Sequence, residues 1–161
     1  VAGYGATCDA HHRVRPAADM GESARAMAIA LEDAGRRPEE VGVVHFHGTG
    51  TRLNDELETR AVKLALGEPN ARRVAGTSVK SMIGHPQGAC GGAALVATIA
   101  SLAGLDGGGG FVPPTINLEE PDPACDLDYT PNAARATDAR VALVNCLAFG
   151  AKNSALVVEV D

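Results

Sequence analysis

The hexapeptide VGVVHF, residues 41–46, has no polar face. A strand with one wet face alternates polar and apolar residues, whereas a continuous apolar run suits a strand covered on both sides. This run predicts a sheet held between layers of helix. Residues 21–35, GESARAMAIALEDAG, set Ala24, Met27, Ile29 and Leu31 on an amphipathic helix that Gly35 stops. Residues 54–66, NDELETRAVKLAL, read as a second helix, capped by Asn54 or Asp55 and ended by Gly67. RRVAGTSV (72–79) reads as a strand, and Gln87 to Leu105 as a long Ala/Gly-rich helix buried between layers. VAGYGAT (1–7) reads as a strand end. RVALVNCLAFG (140–150) and NSALVVEVD (153–161) are two closely joined, hence antiparallel, strands. The order is β, α, β, α, β, α, long arm, β, β. It predicts an α/β fold: a mixed, mostly parallel five-stranded sheet with helices on both faces. Ahead of the last strands, DGGGGF (106–111) reads as a flexible turn. VPPTINLEEPDPACDLDYTPN (112–132) holds five of the nine prolines, which excludes helix and leaves an ordered surface arm.

Aromatics make up only 3% of the chain and tryptophan is absent, so Val, Leu, Ile and Ala have to build the core. At 161 residues, 45% hydrophobic and 21% charged, the chain is long enough and apolar enough for one globular domain. A net charge of −6 with no basic run excludes the footprint of nucleic-acid binding. No apolar run approaches a membrane span, and the opening VAGYGATCDAHH has no secretory pattern. No membrane partner and a cytoplasmic location are the expectation. Cysteines at 8, 90, 125 and 146 form no C-x-x-C pair, so no metal site is expected and free thiols are. The first residue is Val rather than Met, which reads as a piece of something longer.

Chemistry concentrates at two strand-to-helix junctions, where open α/β sheets bind ligands. HFHGTGT (45–51) puts His47 at a strand end, glycines that free backbone amides, and hydroxyls at Thr49 and Thr51. The alternative there is a tight turn with a structural histidine. SVKSMIGHPQGACGG (78–92) puts Lys80 and His85 on a glycine-rich turn, with a helix beginning near Pro86. A histidine at a positive helix end, near a lysine, is pushed toward its neutral form. The alternative is a solvated lysine beside a capping histidine. A third turn, NCLAFGAKN (145–153), holds Cys146, which reads more readily as a small core residue than as a nucleophile.

HGTGT, NDELET, SVKSMIGH, the proline arm and NCLAFGAKN occur here in that order. Together with GYGATCDAHH they resemble β-ketoacyl-[acyl-carrier-protein] synthases, and the likeness runs over essentially all of residues 1–161. It corresponds to the C-terminal half of such an enzyme, which is similar to thiolase in fold. The resemblance implies one ketosynthase C-terminal domain over 1–161, with 1–20 the tail of a preceding half. It implies that His47 and His85 assist decarboxylation of a malonyl thioester, with Lys80 supporting the second histidine. It makes Phe149 the phenylalanine of a gating turn and sets Thr49 and Thr51 against a pantetheine arm. It implies no cofactor beyond the carrier's phosphopantetheine. The implied partners are acyl carrier protein, the N-terminal half, and a second subunit in a homo- or heterodimer.

Two departures qualify the resemblance. The family's alanine-cysteine-serine elbow, which holds the nucleophile, is absent from these residues, so this chain alone is not expected to condense anything. The gating turn reads Ala148-Phe149-Gly150-Ala151 where the family has Gly-Phe-Gly-Gly, which predicts a stiffer turn. A non-catalytic chain-length-factor-like subunit is the alternative. Thiolase is a more distant one, since it lacks HGTGT and the proline arm.

Overall fold

The computed structural model describes residues 1–104 and 107–161. In chain order the elements are β1 (Gly3–Cys8), α1 (Gly21–Asp33), β2 (Val43–His45), α2 (Arg52–Leu66), α3 (Glu68–Ala71), β3 (Ala75–Thr77), α4 (Lys80–Ile83), α5 (Cys90–Leu102), β4 (Phe111–Val112), β5 (Arg135–Ala136), β6 (Val141–Ala148) and β7 (Lys152–Glu159). Five strands form one sheet in the order β1-β7-β6-β2-β3. Pairings β6–β2 and β2–β3 are parallel, and β1–β7 and β6–β7 are antiparallel. The sheet is therefore mixed in equal parts, with the expected parallel character confined to its β6-β2-β3 half. No helix among the described residues is long and apolar enough to cross a membrane.

Both faces of the sheet are covered, as VGVVHF requires. On one side Val44, Phe46, Leu143, Leu147 and Val157 meet Met27, Leu31, Leu57 and Val62 of α1 and α2. On the other, Val43, Ala142, Val144 and Val158 meet Ala94 and Leu102 of α5. Successive strand residues point to opposite faces, so adjacent residues of β2 and β6 enter different clusters. α5 is buried on one side only: Val96 on its outer face is 66% exposed. Tyr4 on the sheet and Met82 and Ile83 of α4 are also large exposed apolar residues.

Small residues set a close approach of helix to strand. A Cβ on Gly5 would stand 2.0 Å from the Ala26 carbonyl oxygen, and one on Gly3 would stand 2.2 Å from that of Ala30. α1 therefore lies directly on the backbone of β1, with Ala26 and Ala30 fully buried. A similar fit joins Phe46 to β3, where a Cβ on Gly76 would lie 2.7 Å from the Phe46 ring.

Several boundaries differ from the sequence reading. α2 starts at Arg52, with Thr51 at its N-cap, rather than at Asn54. Asn54 and Asp55 fall inside its first turn, where Asn54 Nδ2 donates to Asp55 and Glu58 instead of capping. The strand over 72–79 shortens to Ala75–Thr77, because Arg72 follows α3 and Val79 leads into α4. β2 shortens likewise to Val43–His45. The helix over Gln87 to Leu105 divides into a 3-10 turn at Gln87–Ala89 and α5 proper. Leu105, at its expected end, and Asp106, opening the glycine turn, lie outside the described residues. Helix stops at Gly35 and Gly67 hold, both with positive φ.

The proline arm is an ordered strap. The Asp128 carbonyl accepts the Gly76 N–H at 2.8 Å, extending the β3 edge. The Tyr129 ring packs on Phe46 at 5.2 Å, and its hydroxyl lies 2.5 Å from that of Thr59. Asp126 accepts from Lys63 and Arg72.

Candidate active site: two histidines over a buried carboxylate

β2 ends at His45, and the chain then makes a glycine turn before α2. That turn carries His47, which is buried. Gly48 is needed there: its φ is +46, and a Cβ would meet Ser78 Cβ at 2.7 Å. The His85 ring stands edge-on to the His47 ring, with centroids 5.4 Å apart and planes at 81°. Two junctions 38 residues apart in sequence thus deliver imidazoles to one place, as the sequence predicts.

Glu58 anchors the first junction from below. It is fully buried on α2. Its Oε1 accepts the His47 N–H at 2.6 Å and Asn145 Nδ2 at 2.7 Å. Its Oε2 accepts the Gly48 N–H at 2.9 Å and Asn54 Nδ2 at 3.2 Å. The carboxyl pKa is raised: burial pushes it up, and the donors from Gly48, His47 and Asn145 offset this only in part. Four N–H donors converging on two oxygens hold the turn in one geometry.

Lys80 lies on the first residue of α4, not on an open turn as its sequence suggests. Its ammonium donates to the His47 carbonyl oxygen. The sequence reading tied this lysine to His85, but its hydrogen bond goes to His47. Burial, then the charge of Lys80, hold the His47 pKa down to about 3. The same two causes bring His45 down to about 4. His45 is fully buried, donates from Nδ1 to the Phe46 carbonyl at 3.1 Å, and accepts the Val79 N–H at Nε2 at 3.3 Å. That pattern fixes the neutral tautomer.

His85 is exposed, and its Nδ1 accepts the Gln87 N–H at 3.0 Å. α5 begins only at Cys90, so the helix-end contact expected at His85 gives way to this local bond. Nδ1 as acceptor leaves Nε2–H as the outward donor.

A cavity of about 890 Å³ is lined by His47, His85, Thr49, Thr51, Cys90, Cys146 and Phe149. The Thr49 and Thr51 hydroxyls are 2.8 Å apart at its rim. Phe149 projects from the β6–β7 turn and is 79% exposed. The turn is held from outside: the Gly150 N–H donates to the Arg13 carbonyl at 2.7 Å, and the Asp9 N–H to that of Ala151 at 2.8 Å. Ala151 has φ +59, a conformation glycine adopts with less strain. Lys80 does not line this cavity. It faces a second one of about 570 Å³ under the proline arm, with Asp55, Ser81 and Ile116.

The sequence reading missed Glu58, His45 and Asn145. Glu58 does leave a signal. It precedes Ala61 and Val62 by three and four residues, which places an acid on the apolar face of α2. His45 and Asn145 sit inside apolar strands and leave none.

A family model described as "Beta-ketoacyl synthase, C-terminal domain" matches residues 1–119. A 3-oxoacyl-[acyl-carrier-protein] synthase 2 from Synechocystis sp. is 48% identical over 159 residues, covering 99% of this chain and 37% of the relative. One from Coxiella burnetii is 42% identical with the same coverage. The chain thus spans little more than a third of the curated relatives it matches. Among solved structures, the ishigamide ketosynthase/chain length factor superposes with a TM-score of 0.90 at 37% identity, covering 100% of this chain and 38% of that one. A beta-ketoacyl synthase from Burkholderia phymatum gives 0.87 at 38%, covering 99% and 37%. A type II polyketide synthase acyl-carrier protein in complex with its ketosynthase bound to the hexaketide gives 0.87 at 34%, covering 99% and 38%. The chain has the thiolase-like ketosynthase fold and belongs to the beta-ketoacyl synthase C-terminal domain family.

Proposed function

We propose that this chain is the C-terminal half of a condensing acyltransferase of fatty-acid or polyketide synthesis, and that His47 and His85 are its decarboxylation pair. The observation that carries this reading is the edge-on pair of imidazoles, 5.4 Å apart, on the wall of one cavity. When a malonyl thioester loses CO₂, the broken C–C bond leaves its electron pair on the α-carbon and, by resonance, on the thioester oxygen. Preorganised neutral donors aimed at that oxygen stabilise the enolate, and removing one such donor costs about 10²–10³ in rate. The enolate carbon then attacks the carbonyl of an acyl group held as a thioester on a cysteine that the preceding half supplies; the new C–C bond forms as the C–S bond breaks, and the cysteine leaves as a thiolate. Burial, and second the charge of Lys80 behind the turn, keep His47 neutral, and Thr49 and Thr51 meet the pantetheine arm. Phe149 gates the entrance.

In this reading residues 1–161 are one domain, with 1–20 the tail of the preceding half. The substrates arrive on acyl carrier protein, no other cofactor takes part, and the enzyme works as a cytoplasmic dimer. The chain alone performs no condensation. The test is condensation by the intact protein, with acyl and malonyl groups loaded on carrier protein and the product identified by mass. A β-keto product supports the reading, and its absence with an intact nucleophile cysteine overturns it.

A second reading, a chain-length-factor-like subunit that shapes an acyl tunnel without chemistry, is favoured by Ala151. Its left-handed φ of +59 stiffens the turn that carries Phe149. The residue at the nucleophile elbow upstream of Val1 discriminates: cysteine supports the enzyme, glutamine the factor.

A further inference from the structure

The cysteine spacing predicts no metal motif, yet the fold brings two of the four cysteines together beside His47. Cys146 lies on β6, on the face opposite Asn145, and Cys90 begins α5 across from it. Their sulfurs are 3.6 Å apart. A ring nitrogen of His47 completes a set of three ligand atoms within 4.8 Å of one another. Three separate elements supply the set, so no sequence spacing reveals it.

We propose that Cys90, Cys146 and His47 form a site for a thiophilic divalent cation of the zinc class, with its fourth position open to the cavity. Geometry supports it first. Around a tetrahedral ion with metal–sulfur bonds of about 2.3 Å, two sulfurs sit about 3.8 Å apart. The observed 3.6 Å is close to that separation before any adjustment. The second support is a buried group without a partner. His47 is 6% exposed, and its Nδ1 finds no hydrogen-bond partner among the described residues. Buried polar atoms are rarely left so, and one at a ligand cluster points to a ligand. The third is preorganisation. Glu58 fixes the His47 backbone N–H at 2.6 Å, and Lys80 holds its carbonyl. Ligands held by a supporting shell bind metal more tightly. The fourth is access, since all three residues line the 890 Å³ cavity.

Two thiolates with one imidazole favour zinc or cobalt over magnesium or calcium. Binding converts both thiols to thiolates, so two protons leave as the cation enters, and no electron changes hands. A cation here also ties up the imidazole. That consequence rests on the role proposed above for His47: zinc then blocks decarboxylation.

The test is titration of the reduced, intact protein with Co²⁺, read by the thiolate-to-cobalt charge-transfer band, followed by displacement with Zn²⁺. One equivalent should bind, and zinc should bleach the band. Cys90→Ala and Cys146→Ser should each weaken binding at least about tenfold, and His47→Gln similarly. X-ray absorption of the zinc-loaded wild type, which needs no variant to fold, should show two sulfur neighbours and at least one nitrogen. Absence of the band overturns the site, as does an unchanged affinity in Cys146→Ser. Metal binding without loss of decarboxylation would leave the site standing and sink the role given to His47.

Discussion

Glu58 Oε1 accepts the backbone N–H of His47 at 2.6 Å, from a carboxylate with no exposed surface. The contact couples helix α2 to the turn that aims the imidazole. Replacing Glu58 with Gln keeps the volume but turns one acceptor oxygen into a donor NH₂. At least one of the four N–H partners then faces a donor. An unsatisfied buried polar group costs about 1–3 kcal/mol. Glu58→Gln should lower the unfolding free energy by that amount in chemical denaturation, and His47 should lose its fixed position. An unchanged unfolding midpoint would contradict the anchoring role.

His45 and His47 make stability depend on pH, with a definite sign. Their folded pKa values are held down to about 4 and about 3, by burial first and by Lys80 second. An unfolded histidine titrates near about 6.5. Below that pH the unfolded chain takes up protons that the folded state refuses. Stability is therefore fully present above about pH 6.5 and falls as the pH drops toward 4, by up to about 1.4 kcal/mol per pH unit for each histidine. Denaturation between pH 4.5 and 8 measures it. A His45→Gln, His47→Gln double variant should lose this part of the slope. The same pH dependence in the double variant would be inconsistent with buried neutral imidazoles.

The alternation of strands and helices along the chain and the two histidines were legible because both rest on local signals, whereas the spatial strand order β1-β7-β6-β2-β3 and its half-antiparallel pairing were not. VGVVHF declares a covered strand by having no polar face, and His47 and His85 each fall on a glycine-rich turn at a strand-to-helix junction of the sequence. What stayed hidden lies in long-range pairings. Glu58 meets Asn145 across 87 residues, and Cys90 meets Cys146 across 56. Neither pair has a spacing to recognise. The short helix Lys80–Ile83 was missed for a different reason: its four residues lie between a strand and Gly84, too few to show a period.

Gly5 tests the close packing of α1 on β1. An added Cβ would stand 2.0 Å from the Ala26 carbonyl oxygen, a backbone atom that cannot swing aside. Gly5→Ala must push α1 off β1, and overpacking of this kind costs about 1–3 kcal/mol. Circular dichroism melts should show a lower midpoint for Gly5→Ala and little change for Gly88→Ala, where a Cβ has open space. Equal midpoints would contradict direct contact between α1 and the β1 backbone.

The most direct measurement of the account's central claim is decarboxylation of malonyl-loaded acyl carrier protein by the intact protein. CO₂ release is followed separately from condensation. His47→Ala and His85→Ala should each reduce kcat by about 10²–10³, the range for a preorganised donor to a developing oxyanion, with a smaller change in KM. Undiminished CO₂ release in both variants would contradict it.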